Sequence, residues 1–176
     1  MSELVLIRVA GRDEPGITAA ITQLLGQQDA DILDIGQSVI HDHLSLGILV
    51  NISEDRASLK SSLDRLFSDF TVEVSFTRVT NQSYEDWVSH QGSPRYILTL
   101  LARRIKAEHI GEVLSVIAGD GLNIDNVTRL SGRVPLYSTD DRTKACVEFS
   151  LRGVPSDSFR QRLLTICSNL DIDVAV

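Results

Sequence analysis

The sequence predicts an α+β fold made of two ferredoxin-like βαββαβ units, each an antiparallel sheet with both helices packed on one face. Apolar runs of period two alternate with amphipathic segments of period 3.6 along the chain. The same order of segments occurs twice, and short stretches match between the copies: DI at 31–32 with NI at 123–124, and VEV at 72–74 with IDV at 172–174. A chain of 176 residues, 43% hydrophobic, holds enough apolar material for two small domains.

The first unit is predicted to have four strands, a tight turn and two helices. Its strands are LVLIRVA (4–10), DILDIGQSVI (31–40), LSLGILVNI (44–52) and TVEVSFTRV (71–79), with HDH at 41–43 as a tight turn. The first helix, at 15–28, has an inner face of Ile17, Ala20, Ile21, Leu24 and Leu25. Ser53 or Asp55 caps a second helix, whose inner face is Leu59, Leu63, Leu66 and Phe67.

The second unit repeats this order. Its strands are YILTLLARR (96–104), LNIDNVTRL (122–130), KACVEFSLR (144–152) and DIDVAV (171–176). A helix at about 106–118 presents Ile110, Val113, Leu114 and Ile117. Pro155 and Ser156 open the other helix, which bears Phe159, Leu163 and Ile166. The main difference in length is an enlarged hairpin turn at 131–143.

The segment between the units is polar and rich in turn-forming residues. We therefore expect domains at 1–80 and 96–176, joined by a linker at 81–95. Trp87 is expected to pack the linker onto a domain, because an indole gains most from burial. Strands 4–10 and 44–52 carry apolar residues on both faces, which predicts contact with the other repeat or with another chain.

Composition excludes several classes of protein. A net charge of −7 and a pI near 5.0 argue against a nucleic-acid partner. The start of the chain is too acidic for a signal peptide, and no apolar run is long enough for a membrane span. Cys146 and Cys167 lie singly in apolar runs, as expected for buried thiols in a reducing compartment. We expect a soluble, cytoplasmic protein without a membrane partner.

Catalytic and metal-binding patterns are scarce. The sequence has no GxxxxGK loop, no GxSxG elbow and no CxxC pair. His41 and His43 flank Asp42, but a metal site there needs further ligands that the sequence does not offer, so we interpret them as turn residues. We expect no metal and no cofactor in this chain.

The best candidate site is GRDEPGI at 11–17, between the first strand and the first helix. Gly11 and Gly16 permit backbone conformations that a side chain would obstruct. Pro15 is expected in the first helical turn, with Asp13 or Glu14 at the cap.

The chemistry of this segment suits a free α-amino acid. The amides of Gly16, Ile17 and Thr18 would point out of the helix N-terminus as a cradle for a carboxylate. Asp13 beside them would accept hydrogen bonds from an ammonium group. An ordinary capped turn is the alternative.

The second repeat helps to decide between a ligand-binding loop and an ordinary capped turn. Arg103, Ile105 and Glu108 stand where the first unit has Gly11, Asp13 and Gly16. The second unit keeps the hydrophobic pattern without the glycines. The first unit is therefore expected to carry the ligand loop, with the second in a supporting role.

These motifs resemble a known family. A βαββαβ repeat with a DxPG-type turn after the first strand and an NI or DI pair opening the second resembles the ACT domain, an amino-acid-sensing module of metabolic enzymes. GRDEPGITAAI, ILDIGQSVIHDHLSLGILV, NIDNVTRLSGRVPL and LDIDVAV together resemble the N-terminal tandem ACT region of bacterial phosphoserine phosphatases, over the whole chain.

The resemblance implies a regulatory fragment without phosphatase activity. In that family a haloacid-dehalogenase-type domain with a DxDxT nucleophile motif follows the ACT pair, and it uses Mg²⁺ to make L-serine. Here Asp171 and Asp173 supply two aspartates, but the threonine is missing.

The resemblance also implies that a small amino acid, expected to be L-serine, binds between the loop of one unit and the start of the second strand of a partner unit. The loop residues are Gly11, Asp13, Pro15, Gly16 and Ile17. The facing strand is Asn123-Ile124-Asp125 if the second unit is the partner, or Asp31-Ile32 if two copies of the first unit meet in a homodimer. A stand-alone tandem ACT regulator of the glycine-cleavage-repressor type and a purely structural dimerisation module remain as alternatives.

Overall fold

The computed structural model describes residues 3–53, 55–132 and 144–176. The chain divides into two compact units, one ending at Ser89 (unit 1) and one running from His90 to Val176 (unit 2). Each unit contains one four-stranded antiparallel sheet and a βαββαβ order of elements. The predicted fold of two ferredoxin-like units is confirmed.

Unit 1 follows the predicted order closely. Its elements are β1 (Glu3–Arg12), α1 (Ile17–Gln27), β2 (Asp31–Ile40), β3 (His43–Ile52), α2 (Arg56–Leu66) and β4 (Val72–Val79), after which comes α3 (Asn81–His90). The order of strands across the sheet is β2-β3-β1-β4, so β2 and β4 form its edges.

The core of unit 1 lies between one face of this sheet and the helices α1 and α2. The alternation of β1 and β3 directs every second side chain to this face, and the apolar stripes of both helices cover it. Its buried residues include Val5, Ile7, Ile21, Leu25, Ile48, Val50, Leu59 and Leu63. Burial of each such side chain stabilises the unit by about 1.5–3 kcal/mol relative to its exposure.

Unit 2 is built in the same way. Its elements are β5 (Arg95–Ala102), α4 (Ala107–Gly119), β6 (Asn123–Arg129), β7 (Ala145–Arg152), α5 (Phe159–Asn169) and β8 (Asp173–Ala175), and its strand order is β6-β7-β5-β8. Its core includes Leu98, Leu100, Val113, Ile117, Phe149, Leu151, Phe159 and Leu163. Helix α5 begins at Phe159 rather than at Pro155 and Ser156. Residues 133–143 of the predicted enlarged turn lie outside the described residues.

The segment that follows β4 differs from the predicted polar linker. Residues Asn81–His90 form helix α3. Tyr84, Trp87 and Val88 have the i, i+3, i+4 spacing of one helical face, a signal that the polar composition of the segment hides. Trp87 and Tyr84 lie beside Leu6 and Leu49 of the sheet, on the face opposite α1 and α2. As expected, Trp87 packs the segment onto a domain.

The edge strand β2 exposes apolar side chains. Ile35 is 47% exposed and Ile40 is 76% exposed. The register between β2 and β3 shifts between Ile32 and Asp34, which marks a β-bulge, and β6 has an equivalent irregularity between Ile124 and Asn126. The helices in the described parts of the chain are 10 to 13 residues long, and none has the length and apolar character needed to cross a membrane.

Candidate functional site

Three hydrogen bonds position the loop between β1 and α1. The backbone N–H of Arg12 donates to the carbonyl oxygen of Thr71 at 2.9 Å, and the N–H of Asp13 donates to the carbonyl oxygen of Asp42 at 2.7 Å. The N–H of Thr71 donates to Oε1 of Glu14 at 3.4 Å. The loop is thereby fixed both to the start of β4 and to the turn between β2 and β3.

The two glycines of the loop have different structural roles. At Gly11, a Cβ atom would lie 2.3 Å from the carbonyl oxygen of Thr71 and 2.7 Å from Cα of Val72, so the glycine is needed for β1 to approach the start of β4. At Gly16, φ is 98°, a left-handed conformation that favours glycine, but a Cβ atom would meet nothing within 4 Å. Space therefore remains open beside Gly16.

Helix α1 begins later than the sequence predicts. Its N-cap is Gly16, so the expectation that Asp13 or Glu14 occupies the cap is wrong. Pro15 precedes the helix and does not lie in its first turn. No side chain caps the helix from the N-cap position. The first amides of α1 are thus available to a ligand at the positive end of the helix dipole.

A pocket of about 260 Å³ lies at this helix N-terminus. Its lining comprises Asp13, Glu14, Pro15, Gly16, Ile17, Thr18, Ala19, Gln37 and Leu44. Ile17 and Leu44 are buried and form its apolar floor. Oγ1 of Thr18 donates a hydrogen bond to Oε1 of Gln37 at 2.6 Å, which joins α1 to β2 at the pocket.

The pocket brings together most of the predicted loop residues. Asp13, Pro15, Gly16, Ile17 and Thr18 all line it. Gly11 does not line it and instead supports the packing of β1 against the start of β4.

Four residues of this pocket are absent from the predicted ligand-binding residues: Glu14 and Ala19, which are neighbours of predicted ones in the sequence, and Gln37 and Leu44, which are distant from them. Gln37 and Leu44 come from β2 and β3, and the loop meets them only after the sheet has formed. The alternation of the two strands indicates which face each side chain occupies, but it does not place a helix terminus beside them.

Asn123, Ile124 and Asp125 lie at the start of β6 in unit 2. The amide nitrogen Nδ2 of Asn123 donates to Oδ1 of Asp125 at 3.1 Å. The same carboxylate oxygen lies 2.9 Å from Nη2 of Arg152, and Oδ2 lies 3.8 Å from Nε of Arg95. These side chains form a local ion-pair network, and their position opposite the loop of unit 1 stays a prediction.

The turn between β2 and β3 gathers three groups with metal-ligand chemistry. Nδ1 of His41 and Nδ1 of His43 lie 2.6 and 2.7 Å from Oδ1 of Asp42, where ring N–H groups donate to the carboxylate. The hydrogen bond from His41, followed by that from His43, lowers the pKa of Asp42 to about 2. Because the hydrogen bonds occupy the facing ring nitrogens, the geometry agrees with the interpretation of a structured turn.

The pocket at the start of α1 has two kinds of polar group. The amides at the helix N-terminus attract an anionic group, and the carboxylates of Asp13 and Glu14 attract a cationic group. Thr18 and Gln37 add a hydroxyl and an amide that hydrogen-bond small polar substituents. The arrangement suits a small molecule that carries both charges on neighbouring atoms.

Comparison with known sequences bears on the family of the chain. Residues 3–77 match the model of the ACT domain. A UPF0237 protein of Methanococcus maripaludis is 38% identical over 76 residues, which are 42% of this chain and 84% of that protein. Phosphoserine phosphatase of Streptomyces coelicolor is 27% identical over 172 residues, which are 98% of this chain but 39% of the phosphatase. The chain therefore spans less than half the length of this phosphatase.

Comparison with solved structures supports the tandem fold. An unknown protein from Galdieria sulphuraria aligns with a TM-score of 0.74 and 16% identity, over 99% of this chain and 97% of that one. A putative glycine cleavage system transcriptional repressor aligns with a TM-score of 0.69 and 14% identity, over 99% of this chain and 96% of that one. At these identities the likeness concerns the fold alone.

Proposed function

The chain belongs to the ACT-domain family, and on that premise we propose that it is a regulatory region that binds an amino acid, with L-serine as the effector. Its parent would be a phosphoserine phosphatase of L-serine biosynthesis. The similarity to the Streptomyces coelicolor phosphatase along 98% of this chain supports that parent. Effector binding and oligomerisation would be coupled to a catalytic domain, and any Mg²⁺ would act in that domain.

The pocket at the start of α1 is the observation that carries this proposal. A free α-amino acid has a carboxylate and an ammonium group on one carbon atom. The uncapped amides after Gly16 would receive the carboxylate, and Asp13 would receive the ammonium group. The hydroxyl of serine would reach the Thr18–Gln37 pair, which offers both a donor and an acceptor. A ligand with so few atoms binds with weak to moderate affinity.

A partner strand would complete the site. Strand β2 borders the pocket through Gln37 and presents Ile35 and Ile40 at the sheet edge, which supports pairing with a second copy as a homodimer. Asp31 and Ile32 of the second copy would then approach the loop. The alternative partner is unit 2, through Asn123, Ile124 and Asp125.

A second candidate function is that of a stand-alone tandem ACT regulator. The alignment with the putative glycine cleavage repressor covers nearly all of both chains, which favours this candidate. Such a regulator would act through a protein partner rather than through an attached phosphatase domain. A reading frame that continues into a DxDxT segment would favour the phosphatase, and a stop codon after Val176 would favour the regulator.

Titration calorimetry of the chain with L-serine tests the proposal, with glycine and D-serine as controls. We expect saturable binding that prefers L-serine. Asp13→Ala and Gly16→Val should abolish the binding heat, while circular dichroism shows that both variants stay folded. Binding like that of the unaltered chain in both variants would overturn the site. Absence of heat for all three ligands would contradict amino-acid binding and leave a dimerisation module.

A further inference from the structure

A second pocket lies on the opposite face of the unit 1 sheet, beneath helix α3. We infer that it binds a small organic cation with an alkylated ammonium group, held between the aromatic rings of Tyr84 and Trp87 and the carboxylate of Asp34. The pocket has a volume of about 250 Å³. Its residues do not overlap with those of the pocket at the start of α1, so it is independent of the proposed L-serine site.

The aromatic side of this pocket comes from one face of α3. Tyr84 and Trp87 are three residues apart, and their ring centroids lie 5.8 Å apart with planes inclined by 33°. Both rings line the same pocket, and the faces of an aromatic ring carry negative π density. An ammonium ion within about 6 Å of such faces is attracted by both rings.

The acidic side depends on the bulge in β2. Ile32 pairs with Val50, and Asp34 then pairs with Leu49, so Leu33 is the extra residue. Without the bulge, Leu33 would pair with Leu49, and Asp34 would point to the face that carries α1 and α2. The bulge therefore moves the carboxylate of Asp34 to the face beneath α3. There Oδ1 accepts a hydrogen bond from the N–H of Ile35 at 3.0 Å.

The remaining lining residues favour an alkylated cation over a zwitterion. Leu6, Leu49 and Val79 provide an apolar floor for methyl or methylene groups, and Ser83 adds a hydroxyl. Among the lining residues that the structure describes, Asp34 alone carries a charge. Because none of these described lining residues is a cation that could pair with a ligand carboxylate, an amino acid fits less well than a monovalent cation.

The second unit offers an internal comparison. By the matching bulge, Asn126 pairs with Ser150 and takes the position that Asp34 has in unit 1. A neutral amide stands there in place of the carboxylate. Both units thus have the bulge, but only unit 1 has a charged side chain, that of Asp34, at this position.

Trp87 is the single tryptophan of the chain, so its fluorescence reports on this pocket. The probe is choline chloride, with sodium chloride added to the reference at equal ionic strength. We expect saturable quenching or a shift of emission with choline. The uncharged isostere 3,3-dimethyl-1-butanol should bind at least about fivefold more weakly, because it lacks the Coulomb attraction to Asp34.

Variants separate the contributions of charge and ring. Asp34→Asn should weaken choline binding about fivefold or more, whereas Asp69→Asn, an equal charge change at an exposed residue away from the pocket, should leave it unchanged. By calorimetry, Trp87→Leu should weaken binding about tenfold and Trp87→Phe should retain most of it.

Three outcomes would overturn the inference. They are no saturable response to choline, equal binding of choline and its uncharged isostere, and unchanged binding in Asp34→Asn. The exposed position of Asp34 makes its isosteric variant informative even if Trp87→Leu fails to fold. A peptide that contains trimethyl-lysine is tested as a further ligand. Tighter binding of this peptide than of choline would overturn the assignment to a free small cation.

Discussion

Thr18 donates a hydrogen bond from Oγ1 to Oε1 of Gln37 across 2.6 Å, and this contact joins the first turn of α1 to the edge strand β2. Both side chains line the pocket at the start of α1. The bond fixes the orientation of the Thr18 hydroxyl and of the Gln37 amide. A ligand held by the helix amides would therefore meet two polar groups whose directions are already set.

Gln37→Ala removes this orienting acceptor. If the pocket binds L-serine, we expect its dissociation constant to rise about two- to tenfold, the equivalent of one net hydrogen bond. Calorimetry measures the change. Ser38→Ala is the matched control because the next residue along a strand faces the other side of the sheet. Equal L-serine affinity in Gln37→Ala and the unaltered chain would remove Gln37 from the site.

Alanine at the two loop glycines should destabilise the fold for different physical reasons. Gly11→Ala places Cβ against the backbone of Thr71 and Val72, and we expect it to lower the free energy of unfolding by about 1–3 kcal/mol or more. Gly16→Ala meets no neighbouring atom and suffers only the unfavourable left-handed backbone, about 1–2 kcal/mol. Urea unfolding measures both. A larger loss in Gly16→Ala than in Gly11→Ala would contradict these roles.

Asp120 should make the stability of unit 2 depend on acid. Its carboxylate accepts hydrogen bonds from N–H of Ser156 at 2.7 Å and from Oγ of Ser156 at 2.8 Å, and it pairs with Arg162. The backbone hydrogen bond from Ser156 is the first cause that lowers the pKa of Asp120 below 3.8. Because the folded state holds the ionised form, its stabilisation is complete above pH 3.8. This stabilisation is lost as the pH falls below 3.8 and passes through the lowered pKa that Asp120 has in the folded state.

Asp120→Asn tests this dependence by urea unfolding. We expect the variant to be less stable than the unaltered chain at pH 7, and the difference to shrink as the solution is acidified below pH 3.8. Asp157→Asn changes the same charge one residue beyond Ser156 and is the control. A stability difference that stays constant from neutral to acid pH would show that ionisation of Asp120 does not contribute.

Ile35→Lys should prevent the proposed homodimer. Ile35 is 47% exposed on the edge strand β2, and a lysine there opposes the approach of a second strand edge. Sedimentation velocity should show a dimer for the unaltered chain and a monomer for the variant. Leu164→Lys, at a leucine that is 41% exposed on helix α5, should remain dimeric. A dimer that persists in Ile35→Lys would exclude the β2 edge as the interface.

The sequence predicts the fold better than it predicts the site, and individual residues show the reason. Ile17, Ile21 and Leu25 reveal α1 through a local spacing that survives folding unchanged. The cap is decided by competition between neighbouring residues, and the left-handed Gly16 takes the place expected for Asp13 or Glu14. Gln37 joins the pocket through a contact that spans 19 positions of sequence, which periodicity does not encode.

Helix α3 shows a different limit of predicting secondary structure from the sequence. Its apolar residues are too few for an amphipathic pattern to stand out from a polar linker, although Tyr84 and Trp87 have helical spacing. The sheet face of unit 1, with Leu6 and Leu49, supplies the apolar surface that these rings cover. Tertiary packing therefore stabilises a helix that its own sequence supports weakly.

The bulges in β2 and β6 also limit how a strand of another chain can pair with the edges of the two sheets. Each outer strand is bent near its beginning, so a neighbouring chain can lie alongside only the straight remainder, such as Ile35–Ile40 in unit 1. At the opposite edge of unit 2, β8 has three residues. A bent edge and a short edge are poor templates for fibrous growth. At the edges formed by β2, β6 and β8, this geometry disfavours amyloid-like polymerisation.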